Sequence, residues 1–128
     1  VPRQESKVGY SNQLVLGIIA RTDKIPPPYK TFLLVQAYAE TPIARNVLAE
    51  ATPDDVEVDV DDGVVYVLGA RIAPYGAQVL LEYMGSWLAE VDSEWLFPSP
   101  RSLDKPVSCQ MASRYIGKVY KGTITGDE

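Results

Sequence analysis

The chain has no histidine and a single cysteine, which leaves carboxylates, lysines, tyrosines and Cys109 as the side chains able to do chemistry. Without an imidazole, Ser-His-Asp and Cys-His mechanisms lack the base that takes the nucleophile's proton. Lys105 and Arg114 flank Cys109 in the sequence and would favour its thiolate, but the alternating run Val107-Ser108-Cys109-Gln110-Met111 reads as a strand with a buried cysteine. One cysteine and no histidine cannot supply the nitrogen and sulfur ligands of a zinc site. Glu82, Glu90, Asp92 and Glu94 cluster in sequence. Glycosidase-type chemistry would need two of them facing across a cleft, roughly 5 to 9.5 Å apart, and they read instead as the wetted face of an element. The acidic run Asp54, Asp55, Glu57, Asp59, Asp61, Asp62 does not fit a calcium loop, because the glycine and glutamate positions counted from Glu57 fall on Asp62 and Leu68. Acids on the open face of a strand discourage unwanted edge pairing. The expectation is a non-enzymatic protein without a cofactor or metal.

Charge is distributed unevenly. The net charge is −5, made of +3 over residues 1–39, −10 over 40–94, +4 over 95–126 and −2 from the last two residues. Basic ends flanking an acidic middle would let one copy dock on another, or on an acidic neighbour, through complementary fields. Arg114, Tyr115, Lys118, Tyr120 and Lys121 interleave base and aromatic as in single-strand nucleic-acid binders. On a strand, however, Tyr115 and Val119 face one way while Lys118 and Tyr120 face the other, so nucleic acid is not expected as a partner. Trp95-Leu96-Phe97-Pro98-Ser99-Pro100 places large apolar residues on a proline-stiffened loop. Trp95 and Phe97 either anchor an interface or cover the chain's own core.

The elements that would carry these residues follow from periodicity. Residues 1–12 read as an extended arm, and residues 13–126 as one β-rich domain. Gln13–Ala20 and Thr31–Ala39 are apolar on both faces, as expected of strands inside a sheet. Between them, Pro26-Pro27-Pro28 favours a polyproline loop that ends the first strand. Thr41-Pro42 opens a short helix to Ala51. Val56, Val58 and Val60 alternate with acids and turn at Asp62-Gly63 into Val64–Leu68, a hairpin with one buried and one solvated face. Leu80, Met84, Trp87, Leu88 and Val91 recur at helical spacing within 76–91, with a glycine-centred strand pair as the rival reading. Residues 95–106 hold three prolines and read as loop, and Val107–Ala112 and Tyr115–Thr125 as closing strands. No apolar run approaches the ~20 residues that cross a bilayer. The fold class expected is mainly β or α+β, with five to seven strands in a sandwich- or barrel-like core and one or two short helices.

Val58-x-Val60-x-x-Gly63-Val64-Val65-x-Val67-x-Gly69, followed by a candidate helix, resembles part of the BON domain, a small bacterial module associated with envelope and membrane binding. The resemblance spans roughly residues 44–92. After the helix the family carries a glycine-valine strand, where this chain has Val91-Asp92-Ser93-Glu94-Trp95. It implies a hairpin and helix that bind lipid or protein, in the bacterial cytoplasm or envelope.

The leading functional expectation is a structural subunit of a larger assembly, most specifically a small virion protein that decorates, cements or joins a shell or tail and is assembled in the host cytoplasm. Its partners would be copies of itself and a larger shell or tail protein, met through Arg3, Lys7, Tyr10, Trp95, Phe97, Arg101, Tyr115 and Tyr120.

Overall fold

The computed structural model describes residues 13–126, and the helical elements in it outweigh the strands. Five α-helices run over Gln13–Arg21 (α1), Pro27–Tyr38 (α2), Arg45–Ala49 (α3), Pro74–Gly85 (α4) and Cys109–Tyr120 (α5). Five short strands form two small antiparallel sheets, a triple β1 (Val56–Asp59), β2 (Val64–Val67), β3 (Ala70–Ile72) and a pair β4 (Pro98–Ser99), β5 (Ser102–Pro106). No sandwich or barrel closes among these residues, so the mainly β architecture with a core of five to seven strands is overturned.

Four segments expected as strands fold as three helices, the two closing segments Val107–Ala112 and Tyr115–Thr125 contributing to the single helix α5, each for a physical reason. In α1 the buried residues are Val15, Leu16 and Ile19, a helical spacing, and Leu14 is exposed. In α2 the prolines begin the element instead of ending one: Pro26 is its N-cap, and Pro27 and Pro28 occupy first-turn positions where no backbone N–H is needed. The helix buries Tyr29, Thr31, Phe32, Leu33, Leu34 and Val35 nearly all round, which is what a central helix shares with a central strand. In α5 the Ser108 hydroxyl caps the start by accepting from the Met111 N–H at 3.3 Å, and Ala112, Ile116 and Val119 form the buried stripe. Cys109 therefore opens a helix, partly buried, rather than sitting inside a strand.

The hairpin lies where the valine alternation puts it, with β1 and β2 paired Val56↔Val67 and Val58↔Val65 around the left-handed Gly63. The expected burial of its first arm does not follow. Val65 and Val67 are buried, but Val58 is 47% and Val60 88% exposed, because β1 is the outer strand of the sheet. The opposite edge is covered: Glu40 N–H donates to the Arg71 carbonyl at 2.8 Å, and Ala73 N–H to Tyr38 at 2.9 Å. Gly76 lets α4 approach α2, for a Cβ there would lie 2.7 Å from the Tyr38 Cβ. The proline-rich stretch 95–106 is not all loop, since Val107 N–H donates to the Phe97 carbonyl and β4 pairs with β5.

One apolar core joins all five helices to the hairpin. Phe32 and Phe97 are fully buried at its centre, and Arg45 ties α3 to its neighbours by bonds to Gln36 (3.2 Å) and Ser113 (2.9 Å). No helix among the described residues is long and apolar enough to cross a membrane.

Candidate functional site

The sequence-derived contact residues separate into distinct environments. Arg3, Lys7 and Tyr10, and the proposed arm as a whole, lie outside the described residues. Phe97 takes the second of its two roles: it is 0% exposed, edge-on to Phe32 at 5.6 Å and stacked on Tyr83 at 5.9 Å. Trp95 is half-buried, its indole N–H donating to the Asp104 carbonyl at 3.0 Å, so it fastens the segment ahead of the β4–β5 loop to β5. Arg101 is exposed beside that loop. Tyr115 is half-buried against Tyr29 at 5.3 Å, with the Lys118 ammonium 5.8 Å from its ring centre, and Tyr120 is exposed. Among the five described candidates, Phe97 is buried and belongs to no surface.

Helical geometry reassembles the cations of α5. At 100° per residue, Arg114, Lys118 and Lys121 fall together on the side opposite Ala112, Ile116 and Val119. All three are exposed. The strand expectation had scattered these charges over two faces, whereas the helix gathers them into one basic stripe.

The acidic counterpart is the hairpin. Glu57, Asp61 and Asp62 are exposed and Asp59 half-buried, beside the open valines Val58 and Val60. Part of this acidity serves the backbone: the Asp59 carboxylate accepts from Asp61 and Asp62 N–H at 3.1 and 3.2 Å, and Asp55 accepts from Thr52 N–H at 2.9 Å. No group of acids, cysteines or histidines among the described residues is arranged to hold a metal ion. Glu82, Glu90, Asp92 and Glu94 are all exposed. Because the Asp55 backbone carbonyl accepts from Leu68 N–H at 3.0 Å, alternation along the ladder turns the backbone groups of Val56 and Val58 away from β2.

A second feature, which no sequence signal singled out, is a groove of about 610 Å³ between the start of α2 and the end of α4. Lys30, Thr31, Trp87 and Glu90 line it. Lys30 reads as the end of the proline-rich loop and Thr31 as the start of a strand, so their pairing with residues 87 and 90 has no local signature.

No protein family, curated protein or solved structure matches the chain. The segment resembling the BON domain has its hairpin and its helix, but β3 intervenes between them.

Proposed function

We propose that the chain is a non-enzymatic assembly subunit whose copies dock head to tail, the acidic hairpin of one on the basic stripe of the next. The observation behind this reading is the unpaired charge on both faces. Among the described residues, Glu57, Asp59, Asp61 and Asp62 on one side and Arg114, Lys118 and Lys121 on the other form no ion pair. Opposite charges segregated onto separate elements steer association and fix its register. The exposed Val58 and Val60, which alternate with the acids along the same outer strand and turn, supply apolar area at this edge, which charge alone would not. A heterologous contact of this kind makes rings or open arrays, as a covering or joining protein requires. We place this assembly in a virus particle, with a shell or tail protein as the further partner.

Sedimentation velocity of the full chain tests this. At about 0.01 M salt, where charges act over ~30 Å, the chain should sediment as an oligomer, and at about 1 M salt, where they act over ~3 Å, as a monomer. A monomer at both, at high protein concentration, would overturn the reading.

A further inference from the structure

The groove between α2 and α4 holds a buried hydroxyl with no hydrogen bond, and an ammonium in no ion pair, among the described residues. Thr31 is 3% exposed and lines the groove, yet among the described residues its hydroxyl makes no hydrogen bond. A helical hydroxyl ordinarily turns back on the carbonyl four residues earlier, as Ser86 does to Glu82 at 2.6 Å in this same groove. Buried hydroxyls without a partner are costly and uncommon in folded proteins. Lys30, on the adjacent turn position of α2, is half-buried and forms no ion pair among the described residues. Burial pulls its ammonium below the ordinary lysine range, opposed by the charge of Asp23. The Tyr83 hydroxyl is already engaged, donating to the Leu96 carbonyl at 2.8 Å. The apolar wall is Trp87, whose ring is held nearly parallel to Tyr83 at 5.8 Å, with Pro27 and Val91 beside it.

We propose that this groove binds a small monocarboxylate with a flat apolar body, the carboxylate accepting from Lys30 and the Thr31 hydroxyl and the body lying against Trp87. The size is within the range of small-ligand sites, which place a few polar groups in a mainly apolar lining. One ammonium and one hydroxyl match the charge of a monoanion, and Glu90 at the rim disfavours a dianion such as a phosphate monoester. This site is separate from the docking faces and does not depend on them.

The test is a titration of the ¹⁵N-labelled chain with 3-phenylpropionate, the uncharged 3-phenylpropanol and the dianionic 3-phenylpropyl phosphate, read on the Trp87 indole N–H signal. The acid should shift that signal saturably, and the alcohol and the phosphate should bind about tenfold more weakly or worse. Lys30→Met should lose about tenfold in affinity. Thr31→Val separates a ligand role from a packing role, because it removes the unpaired hydroxyl at nearly constant shape. It should weaken binding several-fold while leaving the ligand-free chain as stable as the parent or more so. No saturable shift with the acid, equal binding of acid and alcohol, or full affinity in Thr31→Val would each overturn the proposal.

Discussion

Phe32 and Phe97 meet edge-on, 5.6 Å between ring centres, with both side chains excluded from solvent. The contact joins α2 to the proline-rich segment before β4, two parts of the chain 65 positions apart. It makes Phe97 a structural anchor, and Phe97→Ala should cost about 3 to 5 kcal/mol. Trp95→Ala, at a half-buried neighbour held by one bond to Asp104, should cost less, on the order of 1 kcal/mol. Urea unfolding of the two variants gives the comparison, and a larger loss at Trp95 would contradict this placement.

Tyr83 links the same core to the loop through its bond to the Leu96 carbonyl. Tyr83→Phe leaves that carbonyl unpaired and should cost about 1 to 3 kcal/mol at neutral pH.

Alkali should act through the tyrosines. Burial lifts the ionisation of Tyr83 far above the ordinary tyrosine value. It lifts Tyr38 and Tyr115 as well, helped by the neighbouring Tyr75 and Tyr29. The folded state therefore keeps protons that the unfolded chain releases above about pH 10, so stability is intact below that pH and falls as pH rises through it. Lys30, whose pKa is lowered, contributes with the opposite sign, but it is one half-buried group against three tyrosines. Urea midpoints from pH 7 to about pH 11 should fall steeply above about pH 10, and less steeply in Tyr83→Phe.

Two helical glycines should respond oppositely to alanine. At Gly76 the new Cβ would meet Tyr38 Cβ at 2.7 Å and Ile72 Cγ2 at 3.0 Å, so Gly76→Ala should destabilise by about 1 to 3 kcal/mol. At Gly117 the new Cβ would meet no atom within 4 Å beyond its own helix backbone, and Gly117→Ala should stabilise by roughly 0.5 to 1 kcal/mol. Thermal unfolding of the pair measures both signs.

The hairpin was legible because alternation and a turn residue coincide at Val56–Val67, and helical spacing marked α4 through Leu80 and Met84, although the helix ends at Gly85, before Trp87, Leu88 and Val91. Elsewhere the pattern was ambiguous in kind. Runs such as Phe32–Val35 are apolar throughout because α2 is surrounded by other elements, and period alone does not separate a buried helix from a buried strand. Pro27-Pro28 could both end a strand and start a helix, and only the packing of Tyr29 and Phe32 selects the second. In α5 the spacing of Ala112, Ile116 and Val119 was a readable helical signal, masked by the alternation around Cys109. That misreading also hid the basic stripe, since Arg114, Lys118 and Lys121 share a face only on a helix. The exposure of Val58 and Val60 depends on strand order, and the orphaned Thr31 hydroxyl on which elements pack together, neither of which is encoded locally.

Charge exchange tests the docking account most directly. Reversing the acidic face (Glu57→Lys with Asp61→Lys) should give one variant that no longer self-associates at low salt, and reversing the stripe (Lys118→Glu with Lys121→Glu) a second. Mixing them restores one complementary contact, so sedimentation velocity of the mixture should show a salt-sensitive complex that neither variant forms alone. Two monomers sedimenting independently in the mixture, with both variants folded by circular dichroism, would contradict the account.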